Sequence, residues 1–222
     1  MITVVTPSVR PDMLKIVGKC LTRQTFQDYE WLVGSPEDYR FGEWVKDPPK
    51  KEGDYYCLNK AWNAMFEKAK GELIVSIVDG LWFPPDTLEK LWIHYQFNPM
   101  ACIGGVGGQY DRVENGKPEH MVWKDPRITG KGFYEISPMD MEWCIASIPT
   151  KAIELIGGMD ENFDKYAALS EKEANMRMSK KGYHFFLDES MEYRAIKHDR
   201  ISLEWDEKYK EGCKYFSGLT FS

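Results

Sequence analysis

The sequence predicts an α/β fold, a mostly parallel central sheet with flanking helices in the Rossmann-like manner. Three observations carry this. The first hundred residues alternate as β-α-β-(loop)-α-β-α, the rhythm of a doubly wound sheet. The run "ELIVSIV" at 72–78 is almost wholly apolar, as a strand buried on both faces of a parallel sheet must be. A chain of 222 residues, 43% hydrophobic and 29% charged, is long enough and apolar enough to close one such core.

The elements follow in order. "ITVV" at 2–5 is β-rich and ends at "TPS", so a first strand feeds a loop. Asp12 is placed to cap a helix reaching about Gln24, with Met13, Ile16, Val17, Cys20 and Leu21 at helical spacing. "YEWLVGSPED" reads as strand then loop, and "FGEWVKDPPKKEGD" as loop, because Pro, Gly and charge dominate it. Leu58, Ala61, Trp62, Met65, Phe66 and Ala69 predict a helix from Cys57 to Lys70, stopped by Gly71. A helix over 86–97 is capped by Asp86 and carries Leu88, Leu91, Trp92 and Tyr95 on one face. "ACIGGVGGQYDRV" reads as a strand punctuated by glycine, and 112–134 as a mobile excursion, either a lid that orders on donor binding or plain surface. Helices over 150–156 and 170–181 stop at Gly157-Gly158 and Gly182, and a last strand near "HFFLDESMEYRAI" leads into a polar, aromatic tail.

Composition narrows the function classes. No apolar run approaches the roughly 18 residues of a spanning helix, and "MITVVTPSVRPDMLK" does not read as a signal peptide, since "TPS" breaks its short apolar run. The five cysteines (Cys20, Cys57, Cys102, Cys144, Cys213) are scattered without a CxxC pair, which predicts a reduced, cytoplasmic protein with no cysteine zinc site. A net charge of −6 argues against a broad grip on nucleic acid while leaving room for a local basic groove. Eight tryptophans serve either as stacking platforms for sugars or as core.

In open parallel sheets, ligands bind at the carboxyl ends of the strands, where strand order switches. Three such ends are visible: "TPSVR", "GSPED" and the lone Asp79 of "SIVDGLW". A carboxylate there is either a ligand for a divalent cation bridging phosphates or a cap for the turn and helix that follow.

These stretches also resemble a known family. "VVTPSVRPDMLKIVGKCLTRQTFQDYEWLVGSPED" is similar to the opening of family 2 glycosyltransferases, which have the GT-A fold. "LNKAWNAMFEKAKGELIVSIVDGLWFPPDTLEKL" resembles the family's next block, "IGGMDENFD" its "iGGfDE-x-f", and "SEKEANMRMSKKGY" its "ED-x-d-x-x-x-R-x-x-x-x-G-y". The blocks keep family order and spacing over residues 2–198. The likeness extends to small, soluble, phage-type members, whose location would be the host cytoplasm.

The resemblance implies one GT-A domain over 1–222: a nucleotide-sugar-binding half (1–100), an acceptor-binding half (101–200) and a tail (201–222). It implies an inverting hexosyl- or pentosyltransferase using a nucleotide-diphosphate sugar, UDP-linked in most of the family, and a Mn²⁺ or Mg²⁺ ion. Thr6, Pro7, Ser8 and Arg10 would line the nucleotide pocket, Glu37 or Asp38 would meet the base, and Lys60 and Asn63 would lie near the diphosphate. For Lys60 a solvated surface role stays open, and for Asn63 a bracing one. Asp79 matches one acid of the DxD motif: the second if counted from Trp82, with Ile77 in place of the first, or the first if counted from the strand, with Leu81 in place of the second. His198, where many members carry a late His, would join Asp79 on the metal or lie on the surface beside Asp199. Glu171 takes the place of the base that deprotonates the acceptor hydroxyl, with Glu173 in reserve, unless both are acids favoured only by the helix dipole. Trp143, Asp140 and Glu142 would form the acceptor side, though Trp143 also suits a core. Asp160 and Glu161 would brace their loop, and Trp123, Lys124 and Arg127 would belong to the excursion. The acceptor itself stays open among saccharide, lipid-linked glycan, protein and modified DNA base. Two other readings remain: a catalytically inactive sugar-nucleotide-binding or scaffold domain, suggested by the half-missing DxD, and a nucleotidyltransferase, which "TPSVRPD" disfavours because it lacks a glycine-rich basic loop.

Overall fold

A computed structural model describes residues 1–197 and 205–221. Its first half runs β1 (Ile2–Pro7), α1 (Pro11–Leu21), β2 (Tyr29–Ser35), β3 (Glu43–Lys46), α2 (Leu58–Lys68), β4 (Leu73–Ile77), β5 (Leu81–Trp82) and α3 (Thr87–Phe97). The second runs β6 (Ala101–Glu114), β7 (Lys117–Lys124), β8 (Phe133–Glu135), β9 (Ile145–Pro149), α4 (Thr150–Ile156), α5 (Ser170–Lys180), β10 (His184–Ile196) and α6 (Trp205–Ser217). Short 3₁₀ turns occupy Pro138–Asp140 and Glu161–Lys165.

The strands of the described residues join one sheet in the order β3-β2-β1-β4-β9-β6-β10-β5, with β7 against β6 and β8 against β10. The architecture is the one predicted: a mostly parallel central sheet between layers of helix. β1 lies parallel to β2 on one side and to β4 on the other, and β3 extends the parallel run. The chain therefore leaves β1 in both directions, and the crevice between the ends of β1 and β4 is the topological switch point. β9 enters antiparallel to both β4 and β6.

Strand alternation splits the core into two layers. Val5 and Ile74 join Trp62, Met65, Trp143 and the apolar faces of α2, α4 and α5. Ile2, Val4, Leu73, Val75 and Ile77 pack on the other face with Val17 and Leu21 of α1 and Leu88 and Leu91 of α3. All five residues of β4 are buried, as its almost wholly apolar run predicts, and its one polar side chain, Ser76, donates to the Trp143 carbonyl. Each such side chain contributes roughly 1.5–3 kcal/mol through burial, which makes this double layer the main source of stability.

Several boundaries differ from expectation for local reasons. α1 begins at Pro11, whose fixed φ suits a first helical position, and Asp12 pairs with Lys15 (2.6 Å) instead of capping. The helix ends at Leu21, which frees Gln24 to brace the start of α3: its Oε1 accepts from the Leu88 N–H (2.9 Å) and its Nε2 donates to the Pro84 carbonyl (2.8 Å). Asp86 makes no side-chain cap and pairs with Lys90 (2.8 Å). "EWVK", read as loop, is the edge strand β3, and "IASIP" is the wholly buried strand β9. The excursion over 112–134 is largely a hairpin, since β6 continues to Glu114 and β7 returns along it. Pro118 is tolerated there because β7 is an edge strand. The glycines of β6 are steric requirements: a Cβ on Gly107 would sit 2.0 Å from the Tyr193 carbonyl, and one on Gly108 2.6 Å from that of Trp123. The tail forms α6, whose Tyr215 packs on Phe163 and Tyr166 and donates to Asp160 (3.0 Å).

Candidate functional site

At the switch point the chain encloses a cleft of about 870 Å³, within the range expected of small-molecule sites. Every strand end of the parallel half contributes. Pro7, Ser8, Val9 and Arg10 follow β1, Gly34 and Pro36 end β2, Asp47 to Lys50 follow β3, and Val78 and Asp79 follow β4. Tyr55, Tyr56, Cys57, Leu58 and Ala61 close it from the start of α2, and Ala167 from the segment before α5.

Asp79 is the most constrained acid in the cleft. The Arg10 guanidinium grips it bidentately, with Nε donating to Oδ2 (3.1 Å) and Nη2 to Oδ1. The Ser8 hydroxyl also donates to Oδ2 (2.6 Å) and accepts the Arg10 backbone N–H (2.9 Å). The Asp79 side chain is only 4% exposed, whereas Arg10 keeps 30% of its side chain open.

Three buried side-chain atoms of cleft residues have no hydrogen-bond partner: Arg10 Nη1, Asp47 Oδ1 and Tyr55 Oη. Among the described residues only Asn59 Oδ1 shares that condition. Buried polar groups are nearly always paired, because an unpaired one costs about 1–3 kcal/mol, so three around one cleft mark a surface shaped for a polar ligand. Burial and the neighbouring Asp164 carboxylate push the Asp47 carboxyl up to about 6. Cys57 also lines the cleft, but burial and the charge of Asp47 raise its thiol to about 11. It stays protonated and donates to the Pro48 carbonyl (2.7 Å), so it offers no nucleophile.

Other residues expected at the donor lie elsewhere. Thr6 is fully buried beneath the cleft, accepting from Trp31 Nε1 (3.0 Å). Glu37 and Asp38 are exposed and outside the cleft lining, where Asp47 stands instead. Lys60 is 3% exposed behind the cleft wall, bonded to Asp54 and 3.8 Å from Asp164. Burial works against its charge, but the Asp54 hydrogen bond and the two carboxylates outweigh that and raise its pKa. Asp164 also accepts the Asn59 N–H (2.7 Å), so the knot ties α2 to the Glu161–Lys165 turn. Asn63 clamps the Gly157-Gly158 turn, accepting from Met159 N (2.8 Å) and donating to Met159 O (3.1 Å). Asp160 caps the following turn through Asn162 N (2.9 Å), and Glu161 accepts from Asn63 (3.3 Å).

Glu171 opens α5, two residues after Leu169, a non-glycine residue held at φ +79°. Left-handed backbone in a leucine costs energy and clusters at functional sites. The half-buried Glu171 carboxyl has one weak partner, the Ser170 hydroxyl at 3.4 Å. Burial raises its pKa, and the charge of Glu142 adds to the rise. Its charge is felt by Cys144, whose carbonyl accepts the N–H of Val78 (3.0 Å), the residue before Asp79. Glu171 itself is not among the residues that line the cleft; Cys144 stands between it and the end of β4. Glu173 is committed to Arg177 (2.5 Å), which also donates to the Gly158 carbonyl (2.9 Å).

The acceptor-side expectations divide. Trp143 is core: 1% exposed, edge-on to Trp62 (5.5 Å) and donating to Asn175 (2.9 Å). Asp140 and Glu142 are exposed, with Glu142 3.2 Å from Arg127. Arg127 is anchored on buried Asp125 and donates to the Asp140 carbonyl (2.6 Å). Trp123 and Lys124 stand exposed on β7.

A divalent cation on Asp79 does not fit the residues as arranged, because Arg10 and Ser8 occupy both carboxylate oxygens. Among the described residues no three His, Cys, Asp or Glu side chains gather as a metal site. His198 lies outside the described residues. No described helix is long and apolar enough to cross a membrane.

No family profile matches the chain, and no curated protein matches it by sequence. Solved structures do share its fold. S. aureus TarS 1–349 in complex with UDP superposes with a TM-score of 0.60 at 12% identity, over 88% of this chain and 60% of that one. The same protein with UDP-GlcNAc gives 0.60 and 13%, over 90% and 59%. GalNAc-T7 with UDP, GalNAc and Mn²⁺ gives 0.66 and 13%, over 90% and 44%. The fold is GT-A. The chain spans 60% or less of each of these proteins.

Proposed function

We propose that this protein is a glycosyltransferase that takes its sugar from a nucleotide-diphosphate donor bound in the switch-point cleft. The observation that carries this is the set of three unpartnered buried polar atoms around that cleft, on a fold whose solved relatives were crystallised with UDP or UDP-GlcNAc. The Pro-rich and tyrosine-rich end, with Asp47 and Tyr55, suits a base and ribose. A pyrimidine N–H can donate to the free Asp47 oxygen, which favours uridine. Ser8 and Arg10 suit the diphosphate, which leaves the sugar towards Glu171.

The reaction is a single in-line displacement with inversion. The acceptor hydroxyl oxygen bonds to the anomeric carbon as the bond from that carbon to the diphosphate oxygen breaks. The bonding pair leaves with the nucleoside diphosphate, and the hydroxyl proton passes to Glu171. A carboxylate of raised pKa is the better base for this transfer. Burial pushes the Cys144 thiol near Glu171 up to about 12, so it offers no thiolate for a covalent sugar intermediate. The acceptor approaches over Glu142 and the exposed face of the β6–β7 hairpin, and the whole chain acts as one GT-A domain.

Two measurements test this. A thermal-shift panel of nucleotide sugars should contain at least one that raises Tm, as binding to the folded state must. With that donor, Glu171→Gln should cut turnover about 10²- to 10⁴-fold while leaving donor affinity unchanged. Equal turnover in variant and wild type would remove Glu171 as base, and a panel without any hit would remove the donor site.

A further inference from the structure

We propose that Arg10, held by Asp79, takes the place of a metal ion in binding the donor diphosphate, so that donor binding is independent of divalent cations. The proposal rests on the nucleotide-sugar reading above and deepens it.

Charge and geometry agree. Two carboxylates with a divalent cation sum to zero, and so do one carboxylate and one guanidinium. The single acid at the end of β4 is therefore matched by the single positive charge that grips it. Both Asp79 oxygens accept from the Arg10 Nε and Nη2 edge, and the Ser8 hydroxyl steadies the pair by donating to Asp79 Oδ2 and accepting the Arg10 backbone N–H. The remaining nitrogen, Nη1, has no partner although Arg10 lines the cleft. A planar guanidinium fixed along one edge presents its remaining N–H groups in a set direction, the geometry that phosphate oxygens accept. Arg10 also immediately precedes α1, whose positive dipole end adds to the field felt by an anion. Lys60, the other cation expected at the phosphates, is sealed among Asp54 and Asp164 and cannot substitute. Asp79 is on this view a positioning residue: it aims Arg10 and touches no phosphate.

The experiment is calorimetric titration of the full chain with UDP and with uridine, each in EDTA and in Mn²⁺, and with GDP, CDP and ADP as comparators. UDP is expected to bind equally well in EDTA and Mn²⁺, within about twofold. Arg10→Ala should weaken UDP about 10- to 100-fold, the worth of hydrogen bonds to a charged group, and leave uridine unchanged. Arg10→Lys should recover only part of the loss, since an ammonium lacks the planar fork that fixes the guanidinium against both Asp79 oxygens and aims its remaining N–H groups. If Arg10→Ala unfolds through its orphaned Asp79, the double substitution Arg10→Met with Asp79→Asn removes that charge, and it should show the same selective loss of UDP. UDP binding that requires Mn²⁺, or that survives loss of Arg10, overturns the proposal and keeps the donor site. Absence of binding by every nucleotide overturns the donor site itself.

Discussion

Lys60 and Arg10 each meet a buried aspartate at the same end of the sheet, yet the two pairs do opposite work. Lys60 is 3% exposed between Asp54 and Asp164, behind the cleft wall, with its charge spent on holding α2 to the Glu161–Lys165 turn. Arg10 is 30% exposed, lines the cleft and keeps one nitrogen unpaired. A cation is available to a ligand only where its protein partners leave donors over. Sequence position alone would favour Lys60, one helical turn before Asn63. The unpaired Nη1 favours Arg10.

Breaking each pair should expose this contrast, and the sealed pair should cost more. Lys60→Met leaves two carboxylates buried without their cation. The expected loss is about 3–5 kcal/mol, seen as a Tm drop of roughly 6–20 °C in a chain of this size. UDP affinity of the remaining folded protein should be unchanged. Arg10→Met leaves only Asp79 uncompensated at a cleft that admits water, so about 2–3 kcal/mol is expected, together with the loss of UDP binding. If Lys60→Met spared stability and abolished UDP binding, the two roles would have to be exchanged.

The legibility of the chain follows the same division. Elements carried by long apolar periodicity, such as β4, α2 and α3, stand where the sequence places them. β3 and β7 do not announce themselves, because an edge strand with one solvated side tolerates Pro, Lys and Glu that read as loop. β9 hides because "CIAS" and "IASIP" are too short to tell strand from packing. At the site, Ser8, Arg10 and Asp79 are legible as strand-end residues, but the closure of Arg10 on Asp79 depends on register between β1 and β4. Asp47 is illegible for a related reason: it matters only because β3 exists and lays its end beside β2. Its one local signal is the "EWVK" run before it. Trp143 misleads because the indole of a core residue and that of a sugar platform look identical until Trp62 and Asn175 are placed around it.

Asp47 supplies the smallest effect and the sharpest test of the cleft. Its carboxyl is raised from 3.8 to about 6 in the folded protein. A group that holds its proton more tightly when folded stabilises the fold fully below about pH 4, and that contribution is lost as pH rises through 6. Asp47→Asn should therefore stabilise the protein by about 1–2 kcal/mol at pH 8 relative to pH 4, read as a flatter Tm profile. A base N–H bonds more strongly to an ionised carboxylate than to the neutral acid, so protonation of Asp47 weakens UDP binding. Wild-type affinity for UDP should fall as pH drops from 7 to 5, and the Asn variant, which has no proton to exchange there, should lose most of that dependence. Unchanged pH dependence in the variant would move the base away from Asp47, while leaving the Arg10 end of the cleft untouched.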